Sequence, residues 1–331
     1  MAGSVTSRRR TSLVSKVAGL ALAATMLVGC NTTELPAYMA PIPPELMSRI
    51  EAIGSTPMAP IYVRIFKEES VFEVWKRRVD GEYALLATYE ICAWSGELGP
   101  KRVEGDRQAP EGFYTVTPAQ LNPNSSYHLS FDLGYPNAFD RSLDRTGSHL
   151  MVHGACSSAG CYSMTDETVE IIYALVREAF RGGQRAFQVH AFPFRMTPEN
   201  MARHRGNENF AFWQMLKEGY DHFEVTHLPP DVEVCDFRYV FDPVAEDGAA
   251  FEPRQPCPDF DLAQPLETQL LALRSADQIR FDAAVATLEN GGTLLAGMPA
   301  TATALVDPMT TAAVPAAPRQ PSAFRQFFGL D

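Results

Sequence analysis

The sequence predicts a β-rich α+β domain: mostly β structure with packed helices. Three observations predict it. Three β-branched and aromatic runs separated by tight turns lie between residues 61 and 91; a helical repeat of apolar residues follows Thr165; and another strand-like run covers 186–192. A hydrophobic fraction of 46% is ample for a core, and the length suits one large domain or two small ones.

The elements follow in order. IYVRIFK (61–67), VFEVWKR (71–77) and the run 83–91 are separated by Glu68-Glu69-Ser70 and by the turn signal Asp80-Gly81, which predicts an antiparallel meander. Residues 99–112 carry glycine and proline at loop-like spacing, and 113–116 resume a strand. Residues 127–133 and 148–153 alternate apolar with polar, and the second run places His149, Met151 and His153 on one face. Thr165 is a predicted helix cap, with Asp166 and Glu167 in the first turn and Val169, Ile172, Tyr173, Val176 and Phe180 at helical spacing. Gly182-Gly183 ends that helix. A second helical region begins at Thr197-Pro198 and runs to about Gly219, and 232–241 is a last strand.

The ends read differently. Arg8, Arg9, Arg10 and Lys16 precede a short apolar run, 17–28, that closes in Leu27-Val28-Gly29-Cys30. This is the pattern of a bacterial lipoprotein signal peptide (1–29), with cleavage before Cys30 and lipidation of its thiol. An ordinary cleaved signal with an incidental cysteine is the alternative. Asn31 in the next position leans toward the outer membrane. Residues 30–54 are a Pro-rich tether, 55–245 the folded domain, 246–290 a helical extension, and 291–331 a low-complexity, disordered tail ending in Phe324, Phe327, Phe328 and Leu330. The net charge of −12 becomes −16 once the four basic residues before Cys30 are removed, which argues against a nucleic-acid partner.

Chemistry concentrates in HGACSSAGCYSM, residues 153–164. Several readings compete there. His153, Cys156 and Cys161 give H-x2-C-x4-C, which His128, His149 or His190 would complete as a zinc site. A Cys156–Cys161 disulfide would close a very small loop. A serine-hydrolase elbow needs a glycine where Cys156 stands before Ser158, and a phosphate loop needs more glycine and a lysine. A buried histidine and thiols in a glycine turn form the purely structural reading. The nucleophile reading uses the most residues. A strand delivers His153, a tight loop returns Cys161 beside it, and the imidazole takes the thiol proton. Gly160 admits a close backbone, the Gly160 and Cys161 amides are oxyanion donors, and Ser158 orients the loop. The helix N-terminus near Thr165 would further favour the thiolate. With Cys30 lipidated, five cysteines remain, Cys92, Cys156, Cys161, Cys235 and Cys257; an odd number leaves a free thiol, and the spacing does not reveal the pairing.

His153-Gly154 followed by Ser158-x-Gly160-Cys161 resembles the signature of the L,D-transpeptidase catalytic domain (YkuD) family, and the longer form through Met164-Thr165-Asp166 resembles its YafK-like branch. Supporting stretches are Gly99-Pro100-Lys101, Glu104-Gly105-Asp106, Pro110-Glu111-Gly112-Phe113-Tyr114, Ser126-Tyr127-His128-Leu129, Gly134-Tyr135-Pro136-Asn137, residues 189–196, and Phe212-Trp213 with residues 217–220, so the resemblance spans about 60–242. Departures are Ala159 where the family often has His, Ser163 where it often has Arg, and Ala109 in place of a threonine.

The resemblance implies an L,D-transpeptidase-like β-sandwich or barrel and a cysteine enzyme of peptidoglycan peptide stems. Cys161 would be the nucleophile and His153 the general base, with Gly160, Ser158 and Gly154 in support. It implies a thioester intermediate resolved by an amine, through 3–3 cross-linking, D-amino acid exchange or attachment of a protein to the wall. Resolution by water would instead make an L,D-carboxypeptidase or an amidase releasing wall-linked protein. No cofactor and no metal are expected. The missing arginine leaves the substrate carboxylate to Arg102, Arg145 or Arg195, with Tyr127 and His128 as further substrate-binding candidates. From another class, a catalytically inactive peptidoglycan-binding lipoprotein is the alternative. The expected partners are wall peptide stems, a wall-linked envelope protein and, through the lipid anchor, a membrane facing the periplasm.

Overall fold

The computed structural model of the chain describes residues 35–294, with Met1 and Gly3. The expected signal peptide with Cys30, most of the tail and its terminal phenylalanines lie outside the described residues.

The three N-terminal runs form the expected meander: β1 (Ile61–Phe66), β2 (Val71–Arg77) and β3 (Tyr83–Glu90). With β4 (Gly112–Val116) and β9 (Phe187–Phe192) they make a five-stranded sheet in the order β3-β2-β1-β9-β4, in which only β1 and β9 run parallel. Every residue of β1 is buried, because both faces of the sheet are covered. On one face Ile61, Val63 and Ile65 join a core with Val169, Ile172 and Val176 of helix α3 (Asp166–Arg181). Toward the other, Phe66 packs with Phe113, Phe192 and Trp213, Leu216 and Tyr220 of α5 (Phe210–Thr226).

Helix α3 starts where its cap predicts: the Thr165 side chain accepts the Thr168 amide at 3.2 Å. The Pro-rich segment before the sheet contains helix α1 (Pro44–Ala52), whose Leu46 and Ile50 are buried in the same core. A second sheet carries the motif. It is ordered β5-β6-β7-β8, from β5 (Leu121–Asn122), β6 (Ser130–Asp132), β7 (Met151–His153) and β8 (Tyr162–Ser163). Its central strands are shorter than the alternation predicts, because His128 (φ 68°) and His149 (φ 55°) turn into the left-handed region and break each run. His149 and His153 therefore do not share one continuous strand.

Short helix α2 (Ala138–Ser142) links the second sheet's two halves. The helical region after Thr197 is two helices, α4 (Pro198–Arg203) and α5, and 232–241 is a hairpin of β10 (Val232–Cys235) and β11 (Arg238–Phe241), not one strand. Its turn residues, Asp236 and Phe237, both have positive φ. A small pair, β12 (Val244–Ala245) and β13 (Phe260–Asp261), leads to helix α6 (Gln264–Glu289), which packs on α4 and α5. Among the described residues no helix is long and apolar enough to cross a membrane.

Candidate active site

Pairing between β7 and β8 is parallel, with Val152 opposite Tyr162 and His153 opposite Ser163. Continued by one residue, this register sets Cys161 beside Met151. Asp132 pairs with Met151 and Ser130 with His153 on the other side of β7. Asp132 and Met151 form one row on a face of the sheet, and Ser130, His153 and Ser163 form the next row on that face; Cys161, just before β8, lies beside Met151. Cys161 is thereby next to the residue two before His153, and among the described residues no hydrogen bond joins Sγ to the imidazole. Among the described residues Cys161 is the one cysteine outside a disulfide.

His153 is 2% exposed. Its Nδ1 lies 2.6 Å from the Gly154 carbonyl. A carbonyl only accepts, so Nδ1 carries the proton and the neutral ring keeps its lone pair on Nε2. The Tyr127 ring lies against the imidazole at 4.6 Å between centroids, tilted by 34°. Burial pushes the His153 pKa down, opposed by the bond to Gly154.

Sγ of Cys161 is half-buried. It accepts from the Met151 amide at 3.4 Å and donates to the His149 carbonyl at 3.7 Å. Burial pushes the thiol pKa up; the Met151 amide and Lys101 oppose this, and Asp132 adds to it. Burial thus works against the thiolate that the helix N-terminus is expected to favour. The first turn of α3 is already supplied with the carboxylates Asp166 and Glu167, and Asp166 Oδ1 accepts the Ala155 amide at 2.7 Å.

The supporting residues hold the loop between them. Gly154 must be glycine on steric grounds, since a Cβ there would lie 2.5 Å from Asp166 Oδ1 and 3.0 Å from the Tyr127 carbonyl. Gly160 has φ 128°, closed to most side chains. Ser158 Oγ donates to the Cys161 carbonyl at 2.7 Å and accepts the Gly160 amide at 3.3 Å. Of the two expected oxyanion donors, the Gly160 N–H is bonded to Ser158 Oγ within the loop. Ala155 (φ 63°) and Cys156 (φ 44°) are consecutive left-handed residues without the freedom of glycine, a conformation that costs about 1–2 kcal/mol per residue.

The substrate-binding candidates separate. Tyr127 is 45% exposed beside His153, and His128 bonds Glu170 at 2.6 Å. Arg145 pairs with buried Asp140 at 2.9 Å and Arg195 with Glu73 at 2.6 Å. Arg102 is exposed and holds Asn209 at 2.9 Å. The cation acting on the thiol is one the motif reading passed over: Lys101, almost fully buried and bonded to Asp106 at 2.5 Å and the Val103 carbonyl at 2.9 Å. Its place in Gly99-Pro100-Lys101 was the available signal. Asp132 and Asp166 carried no signal beyond their elements. Cys156 is bridged to Cys92, which takes its sulfur out of the zinc and Cys156–Cys161 readings, and Cys235 is bridged to Cys257.

The L,D-transpeptidase catalytic domain (YkuD) family matches residues 61–190. "Putative L,D-transpeptidase YafK" from Escherichia coli (strain K12) is 46% identical over 182 residues, covering 55% of this chain and 74% of that protein; its counterpart in strain O157:H7 gives the same values. Two solved structures of the helical cell shape determining protein Pgp2 from Campylobacter jejuni also match. One, a point mutant, is 21% identical with a TM-score of 0.32, covering 47% of this chain and 55% of that one. The other is 17% identical with a TM-score of 0.33, covering 58% and 80%. From the YafK identity and its coverage, together with the match over the segment that carries Cys161's sheet, the chain belongs to the L,D-transpeptidase catalytic domain family.

Proposed function

We propose that the protein is a periplasmic L,D-transpeptidase that acts on peptidoglycan peptide stems through a thioester on Cys161. One observation carries the reading: the free Cys161 thiol lies at Met151, two residues before an imidazole whose Nδ1 is pinned to the Gly154 carbonyl, which keeps the Nε2 lone pair available for a base. His153 Nε2 takes the thiol proton as Sγ attacks the carbonyl of the third stem residue. The Cys161 amide then faces the developing oxyanion. Collapse expels the terminal D-alanine amine, which receives the proton from His153. An acceptor amine gives its proton to His153, attacks the thioester and restores the thiol.

The same chemistry with water as acceptor gives a carboxypeptidase or a wall-protein amidase. The lipobox-like end at Cys30 supports a lipid-anchored envelope protein whose domain faces the periplasm at the outer membrane.

The test is incubation of the protein with tetrapeptide muropeptides and, separately, with protein-linked sacculi. Expected are release of D-alanine and a stem adduct on Cys161 by mass spectrometry, with products distinguishing amine from water. Absence of adduct, D-alanine, cross-link and freed protein in both samples would reject the reading and favour an inactive wall-binding lipoprotein.

A further inference from the structure

The thiol loop is tied to one short segment outside its own sheet. Cys92 closely follows β3 and is bridged to Cys156, five residues before the thiol. Ala93 and Ser163 exchange backbone hydrogen bonds at 3.2 and 2.9 Å, and Ser163 Oγ adds a third to the Ala93 carbonyl at 2.8 Å. Ser95 Oγ lies 3.2 Å from Ser158 Oγ, the atom that holds the Cys161 carbonyl. Residues 92–95 thus run along the loop from Cys156 to Ser163, and the disulfide is their one covalent tie to it.

That tie falls where the backbone is most strained. Ala155 and Cys156 are both left-handed, and such residues persist only when their surroundings over-determine them. Three restraints act there: Asp166 on the Ala155 amide, the Met164 carbonyl on the Cys156 amide at 3.2 Å, and the bridge on the Cys156 side chain. The first two are single hydrogen bonds at the surface, since Ala155 and Cys156 are both exposed. Gly154, which joins this turn to His153, supplies the carbonyl that sets the imidazole tautomer. One turn therefore links the thiol loop to the orientation of the base.

We infer that the Cys92–Cys156 disulfide positions Cys161 against His153, so that the protein acquires its reactive pair only when this bridge is closed while Cys161 stays reduced. The inference rests on the proposed roles of Cys161 and His153. Opening the bridge takes two electrons and two protons from a dithiol, which leaves as its own disulfide; the products are the Cys92 and Cys156 thiols. The 155–156 turn then relaxes toward right-handed or extended backbone, and the base loses its register with the thiol. A chain folded in a reducing compartment would hold the right side chains without their alignment. Cys92 and Cys156 are positioning residues, since neither touches the reacting atoms.

The experiment compares the full oxidised chain with the Cys92→Ser/Cys156→Ser pair. The Cys235→Ser/Cys257→Ser pair serves as a control, since that bridge fixes the loop after β11. The primary readout needs no substrate: the rate of Cys161 alkylation by iodoacetamide from pH 5 to 9, with and without His153→Ala. In wild type and control, His153→Ala changes the pH profile. In the Cys92/Cys156 pair it should no longer do so, and kcat on tetrapeptide stems should fall roughly ten- to a hundredfold with KM nearly unchanged. If the pair does not fold, wild type treated with dithiothreitol until Cys92 and Cys156 are reduced, and shown folded by melting, gives the same reading. An unchanged profile that still depends on His153 with the bridge open would overturn the inference. Failure of the proposed function shows separately, as a wild type whose thiol responds to His153 but which turns over no stem.

Discussion

Cys161 carries little of the fold. It is half-buried, and its two hydrogen bonds are weak sulfur contacts to backbone. Cys161→Ala is therefore expected to abolish adduct formation on muropeptides while shifting the melting temperature by no more than a degree or two; a variant that fails to fold would make the residue structural. The titration of the pair gives a second prediction. Burial lowers the His153 pKa and raises that of Cys161. The species with neutral imidazole and neutral thiol then spans a window wider than the ordinary values would give, opening below 6.5 and closing above 9.0. Stem turnover should rise as His153 deprotonates below pH 6.5 and stay level through pH 8.5. A pre-formed thiolate–imidazolium pair would instead leave thiol alkylation by iodoacetamide fast and flat down to acid pH, and that outcome would contradict the neutral pair.

At the scale of elements, the decisive joint is Gly154, between β7 and the thiol loop. A methyl there would meet Asp166 Oδ1 at 2.5 Å and the His128 Cβ at 3.1 Å. Asp166 cannot yield without releasing the Ala155 amide it holds at 2.7 Å. Gly154→Ala should cost about 2 kcal/mol and lower kcat, whereas Gly206→Ala, with no atom within 4 Å, should be silent in both melting and turnover. Equal melting temperatures for the two variants would show that the joint is loose. The same comparison shows what the sequence could disclose. The Thr165 cap and the apolar stripe of α3 are local signals, and they place that helix correctly. The meander is legible for the same reason. The breaks at His128 and His149 are not, because alternation of side chains says nothing about a backbone flip imposed by packing. The Asp236-Phe237 turn is hidden because neither residue is a glycine, the usual mark of positive φ. At the site, the resemblance singled out Cys161 and His153. The Cys92–Cys156 bridge joins residues 64 apart in sequence, and the environment of Lys101 is created by the 101–108 turn and by Gly147, so neither had a local trace.

Across the whole molecule, the five-stranded sheet separates two cores, one containing Val152, Tyr162 and Met164 beside the thiol, the other reaching Phe281 of α6. Helix α6 is latched on the far side by two buried carboxylates on a half-buried lysine: Lys217 Nζ lies 2.6 Å from Asp221 and 2.7 Å from Asp277 of α6, with Arg280 binding Glu199 at 2.9 Å on the rim. Two carboxylates share one ammonium there. Burial pushes the Asp221 pKa up to about 6, against the opposing pull of Lys217. The sign follows from linkage. Between its ordinary value of 3.8 and about 6 the folded state holds a proton that the unfolded state has lost, so this group's contribution is complete at low pH and disappears as pH rises through about 6. The change is on the order of 2–3 kcal/mol. Asp221→Asn cannot titrate and lacks that decline. Its stability relative to wild type should therefore improve between pH 4 and pH 7, read from urea midpoints at each pH. Parallel pH curves for the two proteins would reject the raised Asp221 pKa. Because the sheet stands between the latch and the thiol, the pH profile of Cys161 alkylation should be the same in both proteins; a shift there would mean that α6 communicates with the active face, and the two cores would have to be treated as one.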